Sequence, residues 1–137
     1  MLVFVNAMIP RPNEVVGDWG AATGSSEARI ARAWQHGYTE EFVEDVYFFH
    51  DVPRDAIVGP ERNQTERVFK DVCRFDSWPS IPIHVIAGRD DRLFPLEFQR
   101  RIARERLATE VDEVGGGHLV ALSNPRELAD KLLSYLA

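Results

Sequence analysis

The pattern of apolar and polar positions changes character twice along the chain. Residues 1–9 include the apolar run Leu2-Val3-Phe4-Val5 and end at Pro10, which reads as a buried strand. Residues 11–25 are rich in Pro, Gly, Asn and Thr and read as loop. A helical period follows. One helix is expected over 26–36, with Ser25 or Ser26 as N-cap, Glu27 favourable to the helix dipole and Gly37 at its end. A second is expected over 39–49, with Phe42, Val46 and Phe49 along one side and Pro53 beyond it. A third is expected over 61–75, where Val68 and Val72, and Phe69 and Cys73, are i, i+4 pairs. Trp78-Pro79-Ser80 breaks the pattern.

The remainder alternates between short strands and helices. Ile81 to Ala87 is a β-rich run that enters the turn Gly88-Arg89-Asp90-Asp91. Pro95 opens a helix as its N1 residue, reaching Leu107. Residues 109–114 form another strand, followed by Gly115-Gly116-Gly117. The last helix has Asn124 as N-cap, Pro125 at N1 and Glu127 at N3, a start resembling a capping box, and Leu128, Leu132 and Leu136 form its apolar stripe. The order is strand, helical insertion over 11–80, then strand–helix–strand–helix. Such alternation implies an α/β fold with about three parallel strands joined by right-handed crossovers. Chemistry in such sheets sits in the loops after the carboxyl ends of the strands.

Composition narrows the function. A chain of 137 residues, 45% hydrophobic and 28% charged, has the make-up of a soluble globular protein with a real core. The net charge of -6 and the lack of a sustained basic stripe exclude a nucleic-acid partner. Arg100, Arg101, Arg104 and Arg106 lie among Glu97, Glu105 and Glu110 and read as a solvated helix face. Cys73 is the sole cysteine, which excludes an intramolecular disulfide and fits a reducing compartment; on a helical apolar face it reads as a small buried hydrophobe. The first apolar run is interrupted at Asn6 and lacks a basic flank, so neither a signal peptide nor a membrane association is expected and the location expected is cytoplasmic. No HExxH or comparable spacing is present, and neither a metal nor a cofactor is expected.

Asp91 and His118 each follow a strand through a turn, so neighbouring parallel strands would bring a carboxylate and an imidazole together. The carboxylate would accept the Nδ1 proton and stabilise the imidazolium, freeing the other ring nitrogen to act as base. Asp90 is the alternative acid but is expected to stabilise the turn. His84 reads as a core histidine, and His36 and His50 as surface residues or residues of the insertion.

Taken in order, these motifs resemble the C-terminal half of the α/β-hydrolase fold family, in its esterase-like branch. Gly88-Arg89-Asp90-Asp91-Arg92-Leu93-Phe94-Pro95 is similar to that family's acid loop, and Gly116-Gly117-His118-Leu119 followed by Asn124-Pro125 to its catalytic-histidine segment. Leu2 to Pro10 resembles the strand before the cap, and residues 12–19 and Phe48-Phe49-His50-Asp51-Val52-Pro53 resemble caps of that branch. The resemblance implies that residues 1–10 and 81–137 belong to the hydrolase core and 11–80 to a helical cap. It implies Asp91 as acid and His118 as base, acting on an ester or similar carbonyl. It also implies that some of Trp19, Trp34, Phe48, Phe49 and Trp78 line an apolar substrate pocket under the cap; the alternative for these aromatics is core packing.

The family's nucleophile elbow, Gly-x-Ser-x-Gly, is absent from these residues. None of Ser25, Ser26, Ser77, Ser80, Ser123 and Ser134 sits in a strand–turn–helix elbow. Two readings follow: the acid–base portion of a serine hydrolase completed by an N-terminal half, or a non-catalytic fragment that binds a partner chain or a second copy of itself through an exposed sheet edge.

Overall fold

A computed structural model of the chain describes residues 1–59 and 65–136. Among these, β1 (Leu2–Val5), β2 (Ile83–Gly88) and β3 (Val111–Val114) form one parallel sheet in the order β1-β2-β3. Leu2 lies opposite Ile83 and Val85 opposite Val111. The central strand is apolar at nearly every position because both of its faces are covered. Val85 packs with Ile9, Trp19, Phe98, Ile102 and Ala103 on one face, whereas Ile86 packs with Val114, Val120 and Leu128 on the other. Helix α5 (Leu96–Leu107) supplies the first cover; α6 (Val120–Ser123) and α7 (Pro125–Ser134) supply the second. Full burial of a Val or Ile side chain contributes about 1.5–3 kcal/mol, so this pair alone anchors β2 strongly. No helix among the described residues is long and apolar enough to cross a membrane.

The expected strand–helix–strand–helix order after residue 80 is present. Pro95 lies one position before α5 rather than inside it, its carbonyl accepting the Gln99 N–H at 3.0 Å. Asn124 caps α7 differently from a capping box: its Nδ2 donates to Glu127 Oε2 at 2.6 Å and to the Gly115 carbonyl at 3.1 Å. Leu128 is buried and Leu132 partly so, but Leu136 lies past the helix end and is exposed. His84 is a half-buried residue whose ring stacks on Tyr135 at 3.8 Å, not a core histidine. Burial and a hydrogen bond to Asp112 push the Tyr135 hydroxyl above its ordinary range.

The insertion departs further from expectation. Helix α2 (Ser25–His36) stands where periodicity placed it. The preceding loop holds a short helix, α1 (Trp19–Thr23), closed by Gly24 at φ 69°. The helix expected over 39–49 is a single turn, α3 (Glu44–Tyr47), because the buried Tyr47 hydroxyl donates to the Thr39 carbonyl at 2.6 Å and takes an acceptor that a longer helix would need. Tyr47, not the expected Phe42, is the buried side chain of this turn; Phe42 is exposed and stacks on Tyr47. Part of the helix expected over 61–75 falls on residues 61–64, outside the described residues. The rest is one turn, α4 (Arg67–Lys70). It stops because Val72 forms an antiparallel bridge with Val15, reinforced by the Cys73 N–H donating to the Glu14 carbonyl at 2.9 Å. Cys73 is therefore half-buried in extended chain rather than on a helix.

Arg100, Arg101 and Arg104 pair with neighbouring glutamates at the surface, as a solvated face would. Arg106 does not belong to that face. Its side chain is 2% exposed, and it grips Glu14 with two bonds of 2.6 and 2.9 Å while donating to the Ile9 carbonyl at 2.7 Å. This pair ties the end of α5 to the chain leaving β1. The Arg106 hydrogen bonds hold the Glu14 carboxyl below the usual glutamate range. Because the folded value is depressed, the stabilisation is present above the unfolded glutamate pKa of about 4.3 and is lost as pH falls through the folded value. Arg106→Ala is expected to cost about 3 kcal/mol in urea unfolding at pH 7. The difference between the variant and the parent chain should shrink below about pH 4. A difference that stays constant with pH would show that lost packing, not the ion pair, sets the cost.

Candidate active site

The acid loop begins where β2 ends. The Arg89 N–H donates to the Val114 carbonyl at 2.9 Å and the Asp90 N–H to the Gly116 carbonyl at 3.0 Å, so the two loops are laced together before either presents a side chain. Asp90 supports the turn through this backbone bond and its carboxylate is exposed. Gly88 is required here, because a Cβ would lie 2.6 Å from the Gly117 carbonyl oxygen. Of the three glycines before His118, only Gly116 uses the left-handed region, at φ 117°.

Asp91 turns inward and is 1% exposed. Its Oδ1 accepts the N–H groups of Leu93 and Phe94 at 2.8 and 2.9 Å. Its Oδ2 accepts Gln99 Nε2 at 3.2 Å and lies 2.9 Å from His118 Nδ1. A buried carboxylate is costly unless hydrogen-bonded, and four donors converge on this one. An ionised carboxylate only accepts, so Nδ1 must carry the proton and Nε2 is the basic nitrogen of the neutral ring. The rings of Phe48 and Phe94 flank His118 with centroids at 5.1 and 5.2 Å. The carboxylate and imidazole thus meet at the carboxyl edge of neighbouring parallel strands, with Nδ1 of the ring turned to the carboxylate.

Two residues that the sequence reading did not single out hold this pair. Asn6 follows β1 at φ 45°, a left-handed conformation that asparagine tolerates better than most residues. Its Oδ1 accepts the Gly88 N–H at 2.8 Å and Gln99 Nε2 at 3.2 Å. Its Nδ2 donates to the carbonyls of Gly117 and His118 at 3.0 and 2.8 Å. Gln99, on α5, also donates to the Phe94 carbonyl at 2.8 Å. A polar residue at the end of an apolar strand run was the available signal; its partners lie too far along the chain to be inferred.

The expected aromatic lining divides. Phe48 touches the site, and Phe49 packs against Phe48 with centroids 6.4 Å apart. Trp19 lies in the core instead, its Nε1 donating to the Ile9 carbonyl at 3.0 Å and its ring 5.2 Å from Phe94, so it backs the ring that flanks His118. Trp78 packs on Phe4 and Phe75. Trp34 is 72% exposed and donates to Glu40. His50 lies close to the histidine loop, and burial followed by the Arg92 guanidinium pushes its imidazole below the ordinary range, with Asp51 opposing. Cavities of about 510 and 480 Å³ lie nearby, one between α2 and α5 and one lined by Arg32, Tyr38, His50 and Arg92, but Asp91 and His118 line neither. Among the described residues no group of three or more His, Cys, Asp or Glu could hold a metal ion.

Replacing Asn6 leaves one buried N–H and two carbonyls short of partners, at about 1–3 kcal/mol for each group that water cannot reach. Asn6→Gly accepts the left-handed backbone while losing the side chain. It is expected to lower stability by about 3 kcal/mol in urea unfolding. Stability equal to the parent chain would show that the conformation, not the bonds, is what position 6 requires.

A family model described as the alpha/beta hydrolase family matches residues 1–131. Among solved structures, a mutant of polyneuridine aldehyde esterase is similar, at 18% identity and a TM-score of 0.58, with 98% of this chain and 61% of that one covered. At that identity the likeness bears on the fold, and the chain corresponds to less than two thirds of that protein's length. No curated protein matches the sequence. The parallel sheet, with its laced loops beyond β2 and β3, is a partial α/β-hydrolase fold, and the chain belongs to the alpha/beta hydrolase family.

Proposed function

We propose that Asp91 and His118 are the acid and base of a serine hydrolase acting on an ester or similar carbonyl, with the nucleophile supplied by chain outside these residues. The observation that carries this reading is the 2.9 Å contact between the buried Asp91 carboxylate and His118 Nδ1. A serine hydroxyl would attack the carbonyl carbon while His118 Nε2 takes its proton, and Asp91 would stabilise the imidazolium. The imidazolium would then protonate the departing alcohol, leaving an acyl-enzyme. Water, deprotonated by the same nitrogen, would release the acid and restore the serine. Residues 11–80 would serve as a cap, bringing Phe48 to the apolar side of the substrate site.

The free edge of β1 supports this completion. Among the described residues β1 pairs only with β2, and its outer N–H and C=O groups form a ready template for another strand. A nucleophile-bearing segment added there would lie beside the carboxyl edge from which Asp91 and His118 project. Without it, the same edge would drive self-association or the binding of a partner chain.

Fluorophosphonate labelling of the 137-residue chain is expected to fail. A longer product that includes an upstream Gly-x-Ser-x-Gly segment is expected to label and to hydrolyse esters. In that product Asp91→Asn should lower kcat by roughly 10⁴-fold. Full activity in the Asp91→Asn enzyme, or labelling of the short chain that disappears when one of its own serines is replaced, would overturn the proposal.

A further inference from the structure

Asp51 belongs to the insertion, 66 residues before the glycine that it touches. Its Oδ2 accepts the Gly117 N–H at 2.6 Å, a short, charge-assisted bond to the residue immediately preceding His118. The carbonyl of the same glycine is held from the other side by Asn6 Nδ2 at 3.0 Å. Both polar groups of residue 117 are therefore fixed by side chains from separate parts of the chain, and the backbone entering His118 has little freedom left.

The approach is close. A Cβ at position 117 would lie 2.5 Å from His50 Nε2, 2.7 Å from Asp51 Oδ1 and 3.1 Å from Asp51 Cγ, so these two side chains would have to move to admit one. Gly117 has no left-handed backbone to explain it. Its side-chain-free surface is the seat for the His50-Asp51 segment. The neighbouring Phe48 places its ring against His118, so one short stretch of the insertion contacts the base by packing and its loop by hydrogen bonding. His50 Nε2 and Asp51 Oδ1 stand 3.9 Å apart in buried positions, each without a hydrogen-bond partner among the described residues. The Gly117 N–H is the one hydrogen-bond partner of the Asp51 carboxylate among these residues.

We infer that Asp51 is a positioning residue for His118, through which seating of the insertion and alignment of the base become one event. The inference rests on the acid–base reading of Asp91 and His118. It adds that the inserted segment acts on the base directly and is more than a wall of the substrate site.

The test uses proton NMR of the full chain. The Nδ1–H shared by His118 and Asp91 should give a low-field resonance that Asp91→Asn abolishes. Asp51→Ala is expected to lose that resonance while the far-UV circular dichroism and the signals of His36 and His84 stay unchanged. Asp51→Asn, whose amide oxygen accepts the same Gly117 N–H, is expected to retain it. Persistence of the resonance in Asp51→Ala overturns the inference alone. Its loss in Asp51→Asn also overturns it, because charge rather than the bond to Gly117 would then act on the base. Absence of the resonance from the unsubstituted chain overturns the acid–base reading, and this inference with it. If Asp51→Ala does not fold, Gly117→Ala decides the matter: its methyl displaces the same carboxylate, so loss of the resonance supports the assignment and retention overturns it.

Discussion

A carboxylate withdrawn from water with no cation beside it must have its lone pairs met by hydrogen-bond donors, and the region around Asp91 is built to that requirement. Two donors come from the turn that carries it, one from α5 and one from the imidazole of His118. Each donor is held in turn. Gln99 is shared between Asp91, the Phe94 carbonyl and Asn6, while Asn6 also grips the backbone on either side of the site. The Asp91 carboxylate is thus satisfied and the His118 ring oriented by one connected network.

The same network explains the glycines. A run of three suggests a flexible turn, yet only Gly116 adopts a conformation that disfavours other residues. Gly88 and Gly117 are glycines because something else occupies the space of a Cβ: the carbonyls of the histidine loop in the first case, and the His50-Asp51 segment in the second. The loop that looks most pliable in sequence is bonded on several sides.

Much of this was legible along the chain, and the division follows from physics. The strands, α5, α7 and the loops bearing Asp91 and His118 were readable because apolar runs, Pro, Gly and cap residues are local signals. Asn6, Gln99 and Asp51 were not, since their importance lies in partners far away in sequence. The helix expected over 39–49, and the described part of that expected over 61–75, are shorter than expected for a related reason. Their apolar spacing was genuine, but the Tyr47 hydroxyl and the Val15–Val72 bridge claimed the backbone for other contacts. Arg106 looked like its charged neighbours on α5, and only the fold reveals that Glu14 draws it inside.

The contacts around His118 close long loops, 111 residues between Asn6 and Gly117 and 66 between Asp51 and Gly117. Closing such loops is entropically expensive unless the intervening chain is already ordered. Opening of the segment around Asp51 alone would release the bond to Gly117 without breaking a ladder bond of the sheet. The alignment of the His118 ring is thus separable from the sheet that carries it.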